Sequence, residues 1–328
     1  RSGDYDMAEK TYRDALLIYP NKPGMILGLA SACSSEADEV TVPETTSVSF
    51  HVAMNMETRA AHPLDPKAYT AKLYLYERRQ ADNTVGYTKV QEIDVNSDKL
   101  TINGLVTQKQ YKAVFLAVPS TQTKPALPDF TNGTAPAYDK AIVPYINGQP
   151  DEIGKDIFRS IVDFTARAAG NPLNTVLTRQ NGAVEVRLLN QKDLKSVELH
   201  VNGHTEFYLN DGTGGQVIAQ GTTVALKNTI TDANTLNASE VRIRINLLPQ
   251  EDLTDKNGTN NYLIVTTATG QTKYPLKSGH QTIPVYPNQI TWLTLGSKDN
   301  SEFDVSFSGN INLDDNQWDG IHKSISKE

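Results

Sequence analysis

Hydrophobic and polar residues alternate along most of this chain. Val48, Phe50, Val52, Met54 and Met56 interleave with Ser49, His51, Ala53 and Asn55. Successive side chains of an extended strand point to opposite faces, so the pattern predicts a strand with one buried face. Tyr69–Tyr76 is next, with Ala71, Leu73 and Leu75 on one side, followed by a short strand at Leu100–Leu105. Tyr111–Val118 is almost wholly apolar and ends at Pro119, which predicts a central strand covered on both faces.

The second half repeats the style. Val184, Val186 and Leu188 alternate with Glu185 and Arg187, and Val197, Leu199 and Val201 follow. Asn202-Gly203 then reads as a two-residue hairpin turn. Further strands are predicted at Phe207–Leu209, Thr223–Leu226, Val241–Leu247, Tyr262–Thr267, Ile290–Leu295 and Phe303–Phe307. Helix is expected only over about Asp156–Ala169 and near the N-terminus. Many short strands separated by Gly, Asn and Asp turns predict a mainly β chain of β-sandwiches with a short helical N-terminal segment. Residues 119–150, rich in Pro, Thr, Asn and Gly, are expected to form a long loop of the first domain. A chain of 328 residues suits two domains, with the boundary near Gly170-Asn171-Pro172. The expected division is 1–24, 25–46, 47–170 and 171–328.

Composition narrows the function. A net charge of −7 and the absence of Lys/Arg runs argue against a nucleic-acid partner. No apolar run reaches the roughly 18 residues that span a bilayer. GxSxG, P-loop, GxGxxG and HExxH motifs are absent from the sequence, so no enzyme and no cofactor are expected. His200 and His204 flank the expected turn, and a third ligand for zinc is not apparent. Asn210–Gly215 is too short for a calcium loop, and Asp314-Asp315 reads as an exposed turn. Asn132, Asn237 and Asn257 sit in N-x-S/T sequons. Trp292 and Trp318 could stack on sugar rings, although Trp292 on an alternating strand suits a core position better.

The first residues form a separate problem. Tyr5, Ala8, Tyr12, Ala15 and Leu16 make a helical stripe that Pro20 stops. Residues 3–21 resemble half of one tetratricopeptide repeat; a working array needs about three copies. Met25–Ala32 is an apolar run of the length of a secretory core. Ala30-Ser31-Ala32-Cys33 resembles a bacterial lipoprotein cleavage box, and the acidic Ser34–Glu39 resembles an outer-membrane export tag. The resemblance implies lipidation at Cys33; the other reading makes Cys33 the end of a buried helical turn.

The order of these features resembles the fimbrillin-like lipoproteins of Bacteroidales type V pili, both shaft subunits and their anchor or tip relatives. The segments that carry it are the Cys33 box, TSVSFHVAMNM, Thr58-Arg59-Ala60-Ala61, YTAKLYLYE, LTINGLVTQKQYKAVFLAVPS, LTRQNGAVEVRLLN with Arg179, and Asn316-Gln317-Trp318-Asp319-Gly320. The resemblance implies two tandem transthyretin-like Greek-key β-sandwich domains on an outer-membrane cell-surface protein that joins other fimbrial subunits by strand exchange and mediates adhesion. It also implies an arginine-specific cut after Arg59 that removes the strand carrying Val48, Phe50, Val52, Met54 and Met56. In anchor-type relatives the first strand stays, and Arg59 is then an ordinary loop residue. The alternative function is a surface lipoprotein that binds carbohydrate through its sandwiches.

Overall fold

The computed structural model describes residues 43–307 apart from 56–60, 82–83, 122–126, 131–134, 147–153, 155, 168–169, 171, 212–216, 279–281 and 296–302. Thr45–Glu328 forms one compact unit. In chain order its strands begin with β1 Thr45–Asn55, β2 His62–Pro63, β3 Tyr69–Ala81, β4 Thr84–Asp94, β5 Lys99–Val106 and β6 Gln110–Pro119. Then come β7 Ile142–Pro144, β8 Phe158–Thr165, β9 Leu173–Arg179, β10 Gly182–Leu189, β11 Leu194–Asp211 and β12 Val217–Ile230. A single turn of helix, α1 Ala233–Leu236, is N-capped by Asp232, whose carboxylate accepts from the Thr235 N–H. β13 Glu240–Leu247, β14 Tyr262–Thr267, β15 Gly270–Pro275, β16 Ile290–Leu295 and β17 Phe303–Phe307 complete the described fold.

The first sheet runs β2-β1-β9-β8-β6-β3-β4, with β5 also paired to β1. Within it β6 and β3 are neighbours, and both are buried on both faces. Leu73, Leu75, Ala113, Phe115 and Ala117 point into a first core with Phe50, Ile102, Phe158 and Leu177. Their neighbours Tyr74, Tyr76, Val114, Leu116 and Val118 point the other way, into a second core. This explains why Tyr111–Val118 is apolar apart from Lys112: a strand covered on both sides has little polar face to show.

The second core lies between a four-stranded sheet, β13-β10-β16-β17, and a five-stranded sheet made of β12-β11-β14-β15 with β7 as its fifth strand along β11. Val184, Val186, Ile243, Ile245 and Leu293 fill it from one side, and Val197, Leu199, Val201, Leu226 and Leu263 from the other. Within the predicted long loop, Tyr138, Ala141, Val143, Tyr145 and Ile146 are buried in this core. The Tyr74 hydroxyl donates to the Pro128 carbonyl at 2.6 Å. Sheet membership changes between Arg179 and Gly182, since β9 lies in the first sheet and β10 in the four-stranded one.

Two expectations are corrected. Residues 158–165 form strand β8, not a helix, and pair antiparallel with β6 from Phe158↔Ala117 to Thr165↔Gln110. Phe158, Ile161 and Val162 mimic a helical stripe because this strand buries apolar side chains on both faces: Phe158 and Val162 reach the first core and Ile161 the second. Asn202-Gly203 is not a turn. β11 runs straight through it, pairing Asn202 with Ala225 and Gly203 with Val224. The glycine serves close packing instead, because a Cβ there would lie 2.9 Å from both Leu226 Cδ1 and Leu247 Cδ2. The expected N-terminal helix falls outside the described residues.

Candidate functional site

β1 is an interior strand. Its first half pairs antiparallel with β5, from Thr45↔Val106 to His51↔Lys99. Its second half pairs in parallel with β9, from Phe50↔Leu173 to Asn55↔Thr178. β2 adds to the β5 side at Ala53 and Met54. The two long walls therefore overlap only at Phe50 and His51, and the strand crosses its slot diagonally.

The alternation read from the sequence becomes the two faces of this strand. Phe50, Val52 and Met54 are fully buried in the first core and Val48 packs against it half-buried. Phe50 meets Phe115 and Phe164 edge to face at 5.3 and 5.5 Å. Phe164 in turn stacks on Tyr111, whose hydroxyl accepts from the Val106 N–H at 2.9 Å. On the solvent side Ser47 donates to Asn103 at 2.7 Å, Ser49 bonds Thr101 at 2.9 Å, and His51 is exposed. Burying the three core side chains contributes about 5–9 kcal/mol before entropy is subtracted. Met56, Arg59 and Cys33 lie outside the described residues. In sequence, Arg59 falls between the end of β1 and the start of β2. Arg78 and Arg79 lie inside β3, paired with Tyr87 and Gly86.

The β9 wall leads into a buried polar junction. The Arg179 guanidinium, wholly buried, donates to Asp156 Oδ2 at 3.1 Å and to Asn288 Oδ1 at 3.2 Å, and stands 5.0 Å from the Phe158 ring centroid. Asn181 donates to Asp156 Oδ1 at 3.3 Å and accepts from the Ile157 N–H at 3.1 Å. Its carbonyl accepts from the Asn288 N–H at 2.8 Å. The sequence offered no clean alternation for this wall, since apolar Val176 stands between polar Asn174 and Thr178 on the face opposite Leu173, Thr175 and Leu177. The polar junction has no period and could not be read.

The other marked residues do not converge on a site. His200 bonds Glu198 at 3.1 Å and stacks on Tyr262 at 4.4 Å, while His204 lies four strand residues, about 13 Å, farther along β11. Among the described residues no group of three or more His, Cys, Asp or Glu is placed to hold a metal. Trp292 is half-buried, and the Arg187 guanidinium lies 3.9 Å from its ring centroid, so one face is taken. Asn237 caps α1 and Asn257 lies in an exposed turn. Asn132, Asp314, Asp315 and Trp318 lie outside the described residues.

No protein-family model and no curated protein matches the chain. Solved structures that resemble it include the tip fimbrial protein Mfa3 from Porphyromonas gingivalis, at 13% identity and a TM-score of 0.45, covering 80% of this chain and 99% of that one. The fimbrial anchor protein Mfa2 from the same organism is 12% identical with a TM-score of 0.42, over 80% and 95%. A protein from Bacteroides ovatus described as an adhesin is 11% identical with a TM-score of 0.46, over 81% and 96%.

Proposed function

We propose that the chain is a fimbrial subunit, or a fimbrial anchor or tip protein, of the bacterial cell surface, and that β1 is the strand exchanged on assembly. It acts without catalysis, its partners are other fimbrial subunits, and Cys33 carries the lipid that delivers it to the outer membrane; a cut after Arg59 separates that anchor, together with β1, from the rest of the chain. The observation that supports this is the place of β1: an interior strand at the beginning of the unit, apolar on one face, joined to the rest by a short connection that contains Arg59. Cutting that connection leaves the strand held by noncovalent contacts alone. Its departure bares the backbone groups of β5 and β9 together with the pockets of Phe50, Val52 and Met54. An incoming strand satisfies both at once, which is the logic of strand addition.

The sequence contains a second segment of this pattern. Val305-Ser306-Phe307, in the sheet-edge strand β17, repeats Val48-Ser49-Phe50, and Ile311 and Leu313 continue the alternation. A sister molecule could offer that segment to the vacated slot.

Digestion of the purified protein with an arginine-specific protease tests the reading. The expected result is one early cut after Arg59, release of β1, and a ladder of polymers on non-reducing, unheated gels. Early cuts at Arg78-Arg79, or loss of β1 with monomer alone remaining, would sink it. Mass spectrometry of the protein from its native host tests the anchor: a free thiol at Cys33 overturns lipidation.

A further inference from the structure

Strand β9 has one long neighbour. Leu173–Thr178 pairs with Phe50–Asn55 of β1, whereas β8 reaches only Thr178 and Arg179. A strand whose neighbour leaves loses that side's hydrogen bonds and packing. Without β1, the described part of β9 keeps two ladder pairs at its end and the Thr175–Ser160 side-chain bond of 2.8 Å to β8. Those pairs lead directly into the buried junction of Arg179 with Asp156 and Asn288. Three residues past Arg179 the chain becomes Gly182, the start of β10, the strand that pairs with both β13 and β16. The junction also shares Phe158 with the first core, where that ring meets Tyr69 at 5.5 Å.

From this continuity we infer that occupancy of the β1 slot is coupled, through β9, to the Arg179–Asp156–Asn288 junction at the start of the second core's central strand. The inference deepens the exchange reading and takes its purpose from it. A buried ion pair holds only while its partners are in register; once one is displaced, a dry charge must be hydrated or re-paired. The junction therefore has a packed and a hydrated arrangement, and β9 selects between them. Coupling of this kind is reciprocal. A filled slot favours the packed junction, and an opened junction loosens the strand in the slot. A subunit that has received its strand then differs from an empty one at a place away from the slot itself.

Amide hydrogen exchange on the intact chain tests the link, using Asn288→Gly and Asp156→Asn. Asn288 has a φ of 54°, a conformation glycine adopts freely, so Asn288→Gly removes the side-chain contact while keeping the backbone path. Exchange of residues 50–55 and 173–178 is expected to rise tenfold or more, and that of Tyr262–Thr267 less than twofold. No rise at 50–55, or an equal rise at all three places, overturns the coupling. A second arm uses wild-type protein cut after Arg59. If β1 leaves, residues 179–182 should exchange at least tenfold faster, and unchanged exchange there also overturns the coupling. If β1 stays bound after the cut, the exchange reading fails, while the first arm still decides the coupling.

Discussion

Phe50 of β1 packs edge to face against Phe115 of β6, ring centroids 5.3 Å apart, and so ties the slot strand to the most deeply buried strand of the first sheet. Phe50→Ala removes this ring from a fully buried site and leaves a cavity. The expected cost is about 3–5 kcal/mol, read as a lower urea midpoint with unchanged slope. In protein cut after Arg59 the same change should speed release of β1 about a hundredfold or more, whereas Ser49→Ala should change it little.

Glu92 bonds Lys72 and Lys89 at 2.8 Å each and accepts from the Phe130 N–H at 3.0 Å. Burial works against its ionised form, but the two lysines and the backbone donor outweigh it, and its carboxyl is held below the usual carboxylate range. A depressed carboxyl contributes stability that is present above its unfolded value, near pH 4, and lost as pH falls through the folded value. Glu92→Gln should therefore lower the melting temperature at pH 7 and shrink the difference from wild type below about pH 4. An unchanged acid limb of the stability profile would contradict this.

Glu185 lies in the middle of β10 with its side chain 3% exposed, 3.1 Å from Arg187 Nε and 2.9 Å from Arg244 Nε. Glu185→Ala takes the shared carboxylate away from two partly buried guanidinium groups, of which Arg187 keeps Glu240 at 3.7 Å. The expected loss is about 3–5 kcal/mol. Replacing Glu185, Arg187 and Arg244 together with Met or Leu should recover most of it, as measured by chemical denaturation.

Gly203→Ala forces a methyl against Leu226 and Leu247, both side-chain ends that can shift by a few tenths of an ångström. The expected cost is about 1–3 kcal/mol. Gly86→Ala, where a Cβ meets nothing within 4 Å, is the control and should stay within about 0.5 kcal/mol of wild type.

Strands with an alternating sequence were legible: Val48–Met54 alternates cleanly, and Tyr262–Thr267, Ile290–Leu295 and Phe303–Phe307 have the bounds their pattern predicted. Phe158–Thr165 was not, since burial on both faces erases the polar beat that separates a strand from a helix. Asn202-Gly203 misled for a different reason. The dipeptide is favoured in turns for its backbone freedom, but here the missing side chain is what matters, and only neighbours distant in sequence reveal that. Within the candidate site, β1 and its buried face were readable from spacing, while the β9 wall required knowing that residues far apart in the chain meet. Arg179 was marked by resemblance; its burial against Asp156 came from the fold. The sequence-level assignments at Cys33, Met56 and Arg59 rest on residues beyond those described.

The parallel pairing of β1 with β9 also bears on how the molecule is made. More than a hundred residues separate Phe50 from its partner Leu173, so during synthesis β1 emerges long before the strand that closes over it. Long-range parallel pairings form slowly because the intervening loop must be closed first. Until then an apolar ribbon with free edges is available to any similar nascent chain, the situation in which misassembly begins. The polar outward face of β1, with Ser47, Ser49 and His51, tempers that hazard.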